Sequence, residues 1–222
     1  MRRGVSEVTI LLVDDHPVVR EGYRRLLERQ AGFRVVAEAE TAAEAYRLFR
    51  ETAPSVVVMD LSLGGPSGLE AIRNIRQWDG KARVLVFTMH QGSAFALKAF
   101  EAGAAGYVTK SSAPSELVAA VTAVARGRQA VSADIAQELA AERLAGKNSP
   151  LDDLAPREVE ILRLVASGMA TEAIAEALHL SPKTVQNYHY GIKAKLGARN
   201  DAHLVWLAAS AGVLGAGFRF EP

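Results

Sequence analysis

Up to about residue 127, short apolar runs rich in β-branched residues alternate with longer segments of helical period. The runs cover 9–13, 33–38, 55–60, 83–88 and 105–109, each with little polar alternation. Strands of a parallel sheet covered on both faces read this way, because neither face meets water. Between them, 17–29, 42–51, 68–77, 93–101 and 114–126 carry helical patterns. Five strand–helix units predict an α/β domain built on a doubly wound, five-stranded parallel sheet.

The pattern then changes. Residues 132–144, rich in Ala and Glu, read as one more helix, and Gly146-Lys147-Asn148-Ser149-Pro150 follows as a run of turn formers and breakers. Beyond it the strand-like runs cease, and 156–167, 172–178, 182–196 and 201–211 read as short helices. The expected organisation is an α/β domain at 7–127, a linker with a helical segment at 128–150, and a separate all-α four-helix domain at 151–215.

Composition narrows the function classes. Hydrophobic residues make up 49% and charged residues 23% of the 222, ordinary values for a globular chain. Cysteine is absent, which excludes disulfides and thiolate metal sites and fits a reducing cytoplasm. No signal peptide or membrane-spanning run is evident, so a soluble cytoplasmic protein is expected, with no membrane partner. The formal net charge is only +1, and from Leu151 onward seven Lys or Arg stand against eight Asp or Glu, a net of −1. Any nucleic-acid reading must therefore rest on where charges sit, not on their total.

Polar residues interrupt the strand runs at telling places. Asp14 and Asp15 follow the first, Asp60 ends the third, Thr88 ends the fourth and Lys110 follows the fifth. All lie at carboxyl ends, the edge where open α/β sheets bind ligands. With strand order 2-1-3-4-5 the reversal falls between strands one and three, so Asp14, Asp15 and Asp60 share one crevice. Three carboxylates together need neutralising, and an all-oxygen set suits a hard divalent ion, Mg²⁺ before Ca²⁺. Asp60 is then placed to attack phosphorus. Lys110 offers a mobile cation for a phosphoryl oxygen, and Thr88 a hydroxyl donor. Singly, each has a plain structural reading: a helix cap, a strand-end acid, a solvated lysine. Four such features at four strand ends favour chemistry.

Residues 9–126 resemble a response-regulator receiver domain of flavodoxin-like fold. The likeness is carried by Leu12-Val13-Asp14-Asp15-His16-Pro17, Val58-Met59-Asp60-Leu61-Ser62-Leu63, Phe87-Thr88 and Gly106-Tyr107-Val108-Thr109-Lys110. The resemblance implies that Asp60 is the phosphoacceptor and that Asp15 ligates Mg²⁺ directly, assisted by Asp14. It also implies that the Ser62 carbonyl is a further ligand and that Thr88 and Tyr107 form a switch pair. Two positions depart from the family pattern: the loop after Asp60 reads Gly64-Gly65-Pro66, and Ser111 stands where many receivers have a cis proline. The isomer of the Lys110–Ser111 bond stays open at this point.

In the helical domain, Ser181-Pro182 marks a helix start, serine as cap and proline in the first turn. Val185, Tyr188, Ile192 and Leu196 share one side as an expected buried stripe. Lys183, Gln186, Asn187, Tyr190 and Lys193 fall mostly on the other, and no acid occurs from Ser181 to Asn200. Amides suit adenine edges, and lysines suit phosphates or guanine. A helix at 172–178, the short turn His179-Leu180 and this second helix form a helix-turn-helix pattern. Residues 151–211 resemble the LuxR-type domain of NarL/FixJ-class regulators, on Leu154-Ala155-Pro156-Arg157-Glu158, Gly168, Ile174-Ala175, Leu180-Ser181, Lys183-Thr184-Val185 and Lys195-Leu196-Gly197. The resemblance implies phosphate contacts at Lys183, Thr184, Lys193 and Lys195 and base reading at Gln186, Asn187 and Tyr190. Glu158 becomes a helix brace and the last helix a dimerisation element. Ala155 replaces a usual threonine cap, a loss that Asp152 or Asp153 is expected to offset in part.

The resulting expectation is a phosphorylation-controlled transcription regulator. It would take its phosphoryl group from a sensor histidine kinase, bind double-stranded DNA as a homodimer, and catalyse only its own phosphoryl transfer and dephosphorylation. Two alternatives differ in class: an aspartyl-phosphate hydrolase, which would carry an acid where Ser62 stands, and an orphan regulator that binds DNA independently of phosphate.

Overall fold

A computed structural model describes residues 7–63, 68–145, 151, 153–211 and 213–214 of the chain. The loop Gly64-Gly65-Pro66, the breaker run from Gly146 to Pro150 and Asp152 lie outside the described residues. The structure falls into two compact units. The first takes in the chain through Met89 together with Ala99–Ser132, and the second His90–Lys98 and the chain from Ala133 onward.

The first unit holds strands β1 (Val8–Val13), β2 (Phe33–Ala39), β3 (Val56–Met59), β4 (Val84–Thr88), β5 (Gly106–Thr109) and β6 (Ala130–Val131). All pair in parallel in the order β2-β1-β3-β4-β5-β6. Helices α1 (Pro17–Glu28), α2 (Ala42–Thr52), α3 (Gly68–Trp78), α4 (Ser93–Glu101) and α5 (Pro114–Ala125) alternate with the strands. Every residue of β3, β4 and β5 is buried, which is why their sequences lack polar alternation. Ile10, Leu12, Val56, Val58, Leu85, Phe87 and Val108 form one core cluster with Leu27 of α1 and Leu117, Val121 and Val124 of α5. The intervening residues Leu11, Val13, Val57 and Met59 are buried too.

The expected strand order holds, with one addition. β6 extends the sheet to six strands, pairing Gly106 with Ala130 and Tyr107 with Val131. Two residues are too few to show a period of two, so the sequence pattern could not reveal this edge strand. Gly106 explains how it fits. A Cβ there would lie 2.7 Å from the Ala130 carbonyl oxygen and 2.8 Å from Leu85 Cδ1, so only glycine lets the strands approach this closely.

The second unit contains α6 (Ala133–Ala145), α7 (Pro156–Ala166), α8 (Thr171–Ala177), α9 (Pro182–Lys195) and α10 (Asp201–Ser210). Most of α4, Ser93 to Lys98, groups with it, and the Ser93 N–H donates to the Glu138 carboxylate of α6 at 2.9 Å. α7 packs against α8, α9 and α10, burying Val159, Leu162, Ile174, Val185, Ile192, Leu204 and Ala208. Of the expected α9 stripe, Val185 and Ile192 are buried, while Tyr188 and Leu196 are half-buried.

Local rules set the helix ends. Ser181 Oγ accepts the Thr184 N–H at 3.0 Å, capping α9 as its sequence predicts. α8 ends with the Leu180 N–H returning to the Ala175 carbonyl at 2.8 Å, while His179 takes the left-handed value φ 52°. Ala155 has no side-chain acceptor, and the reciprocal half of a capping box supplies the compensation. The Glu158 carboxylate accepts the Ala155 N–H at 2.7 Å. Asp153, offered above for that task, is exposed.

Replacing Gly106 by alanine should cost about 1–3 kcal/mol, the usual penalty for overpacking. Urea unfolding monitored by circular dichroism would show it as a lowered midpoint with an unchanged slope.

Candidate functional site

The sheet carries four side chains to one place. Asp14 follows β1, its N–H held by the Ala39 carbonyl at 3.1 Å. Asp60 follows β3, its N–H held by the Val13 carbonyl at 2.9 Å. The Lys110 N–H is fixed by the Thr88 carbonyl at 2.7 Å, which ties the ends of β4 and β5 together. With the backbones pinned, the Lys110 Nζ reaches both carboxylates, 2.6 Å from Asp14 Oδ2 and 2.5 Å from Asp60 Oδ2. Thr88, with no exposed surface, donates its hydroxyl to the Asp60 carboxyl. The Ser62 N–H reaches Asp60 Oδ1 at 3.1 Å. Tyr107 is entirely buried on β5, turned into the protein.

Burial governs the electrostatics. Asp14 and Asp60 are only 2% and 3% exposed. Loss of solvent pushes the Asp60 carboxyl above the usual carboxylate range, against the opposing pull of Lys110, Thr88 and the Ser62 N–H. Burial would lower Lys110, but its two carboxylate partners outweigh it and hold the ammonium above its ordinary value. The lysine is thus a firm cation held between two buried acids.

Asp15 and His16 complete the mouth. His16 Nδ1 lies 2.7 Å from Asp15 Oδ1, and ligand atoms of Asp14, Asp15 and His16 lie within 4.8 Å of one another. The two neighbouring carboxylates suit a hard divalent cation, with Asp60 joined to Asp14 through the Lys110 ammonium. The sequence reading assigned no part to His16 or to Arg20. Arg20, largely buried on α1, donates to the Asp14 carbonyl at 2.5 Å and to Glu38 at 3.1 Å and Glu40 at 2.7 Å. The available signal was an arginine one and a half turns after the acidic pair, with two acids at the end of β2. Gly68 was missed as well. A Cβ on it would clash with the Asp60 carbonyl oxygen, so glycine is what allows α3 to start against Asp60. The Lys110–Ser111 bond is trans, as are all bonds among the described residues.

In the second unit, α9 exposes Lys183, Gln186 and Asn187, and Tyr190 is 74% exposed. The other expected contacts have partners within the domain. The Thr184 hydroxyl lies 2.7 Å from Ser181 Oγ. Lys193 Nζ is 2.8 Å from Asp201 Oδ1, and Lys195 Nζ is 2.6 Å from Glu158 Oε2. Glu158 therefore braces α7 to α9, the role the resemblance implied.

Comparison with known proteins agrees with both halves. Residues 10–122 match the response regulator receiver domain, and residues 152–208 match the bacterial regulatory proteins of the luxR family. The chain is 38% identical over 211 residues to the response regulator UvrY of Escherichia coli K12, covering 94% of this chain and 97% of UvrY. A LuxR-family two-component response regulator from Aurantimonas sp. SI85-9A1 is 70% identical over 63% of this chain and 99% of its own, with a TM-score of 0.62. RcsB of Salmonella enterica serovar Typhimurium is 26% identical over 92% of this chain and 99% of its own, with a TM-score of 0.66. Its structure was determined bound to promoter rprA in the presence of phosphomimetic BeF3⁻.

Lys110→Ala leaves two buried carboxylates without their cation and should cost about 3–5 kcal/mol near neutral pH. Asp60 would hold its proton still more tightly in the folded chain than in the unfolded one, so stability should fall as pH rises through that raised range. Chemical denaturation across pH should therefore show the largest deficit at neutral pH and a smaller one in acid.

Proposed function

Because the chain belongs to the response regulators that join a receiver domain to a LuxR-type domain, we propose that Asp60 is its phosphoacceptor and α9 its reader of promoter DNA. The protein is a two-component response regulator and a DNA-binding transcription regulator, not a classical enzyme. We set the receiver at residues 7–127, a linker at 128–150 whose first residues supply β6 to the receiver sheet, and the DNA-binding domain at 151–215. The observation that carries the residue-level reading is the buried Asp60 carboxylate, 2.5 Å from the Lys110 ammonium at the carboxyl edge of the sheet.

A sensor histidine kinase is the donor. An Asp60 carboxylate oxygen attacks phosphorus, the P–N bond to the kinase imidazole breaks, and the leaving nitrogen keeps the electron pair. Mg²⁺ held by Asp14, Asp15, Asp60 and the Ser62 carbonyl would neutralise phosphoryl charge. Lys110 moves its hydrogen bond from the Asp60 carboxylate to a phosphoryl oxygen, and the Thr88 hydroxyl turns the same way. Tyr107, buried on the neighbouring strand, is the second member of the switch. Water attack on the acyl phosphate returns the carboxylate and releases phosphate, so the domain resets itself. Val18, in the first turn of α1 after Asp15 and His16, is 87% exposed. An apolar side chain held out beside an acidic pocket suits a docking protein.

On the DNA side, Gln186, Asn187 and Tyr190 take base edges in the major groove, and Lys183, Thr184, Lys193 and Lys195 take phosphates. Trp206 of α10 is 58% exposed, an apolar surface suited to pairing two copies on paired half-sites. No helix among the described residues is long and apolar enough to cross a membrane. The cytoplasm, where kinase and DNA meet, is the assigned site of action.

Incubation with acetyl phosphate and Mg²⁺ should add one phosphoryl group to the wild-type chain by intact mass and none to Asp60→Asn. An unmodified wild-type chain would favour a regulator that acts without phosphate. Rapid turnover of many phosphate esters would favour a hydrolase.

A further inference from the structure

The positive helix α9 touches an acid that its own sequence avoids. No Asp or Glu occurs from Ser181 to Asn200, and the next residue is Asp201. Its carboxylate reaches back onto α9: Oδ1 lies 2.8 Å from Lys193 Nζ and 3.2 Å from His189 Nε2. We infer that Asp201 is a built-in counter-ion for Lys193 that lowers the affinity of α9 for duplex DNA. The inference rests on the DNA-binding reading above and names a residue that tunes it.

Three observations favour this role over a structural one. Asp201 opens α10, where an acid can cap a helix, but Asn200 already does that, its Oδ1 accepting the His203 N–H at 2.8 Å. The Asp201 side chain is 66% exposed and that of Lys193 only 25%, so the carboxylate stands outside the cation it pairs with. Lys193 depresses the Asp201 carboxyl below its ordinary range, with His189 contributing, so the acid stays ionised across the physiological range. Phosphate must then displace a carboxylate to reach Lys193. An exposed ion pair does little for stability. Its effect on a phosphate contact is larger in consequence, because each cation withheld removes one neutralised phosphate from the interface.

The test uses the full chain and a mixed-sequence DNA duplex of about three helical turns, since phosphate contacts need no particular operator. Asp201→Asn should bind roughly two- to fivefold tighter, the scale of one exposed ion pair. Its log affinity should fall more steeply with log salt, by about one unit of slope. Asp201→Glu should behave as wild type. In a Lys193→Ala background the Asp201→Asn gain should vanish, which separates a pairwise effect from general repulsion of DNA. An unchanged salt slope, with or without a lower melting midpoint, would overturn the inference, as would a gain that persists without Lys193. Failure of the wild-type chain to bind the duplex at low salt would sink the DNA reading itself, and this inference with it.

Discussion

Two carboxylates buried within reach of one ammonium set the terms for the receiver half of this protein. Asp14 and Asp60 sit at the ends of neighbouring strands with almost no solvent, and the Lys110 Nζ lies within 2.6 Å of both. Burying such acids is costly unless a cation and good hydrogen bonds offset the loss of water. The sheet register, the Val13 and Thr88 carbonyl contacts and the Thr88 hydroxyl all serve that geometry. An arrangement held this tightly gains from any group that brings positive charge and loses from any that adds negative charge. A phosphoryl group on Asp60, as proposed above, would disturb this close balance of buried charges.

The helical half solves a different electrostatic problem. Its total charge is slightly negative, yet α9 presents lysine, amides and a phenol to solvent. The acids have been placed elsewhere in the fold, Glu158 under Lys195 and Asp201 beside Lys193. Glu158 thereby steadies Lys195 from within the domain while Asp201 covers Lys193 from the solvent side, and only part of the positive charge stays uncommitted. Net charge is a poor guide to such a domain because the distances between charges, not their sum, decide what a phosphate meets.

Most of the architecture was legible because strands β1 to β5 and the helices left local marks. The all-apolar strands announced a sheet covered on both faces, and their polar ends announced where chemistry collects. Ser181 announced the start of α9. What stayed hidden depends on contacts between distant residues. β6 is two residues long and exists because Gly106 lets Ala130 approach. Arg20 becomes part of the acidic pocket only once α1 lies along β2, and the pairing of Thr184 with Ser181 and of Lys195 with Glu158 follows from packing. The replacement for the lost cap at Ala155 came from a residue read as a brace. One side chain can do both because its two oxygens offer several lone pairs, which a one-residue, one-role reading overlooks.

That double duty constrains how the sequence can change. Oε2 of Glu158 accepts from the Ala155 backbone and from the Lys195 ammonium. Exchanging the two residues would preserve an ion pair on paper. It would also strip the start of α7 of its only side-chain acceptor among those described and set a carboxylate near the end of the DNA-facing helix. The pair is asymmetric by construction. Related chains that drift at one of these positions should compensate by restoring an acceptor at the helix start, not by swapping charges.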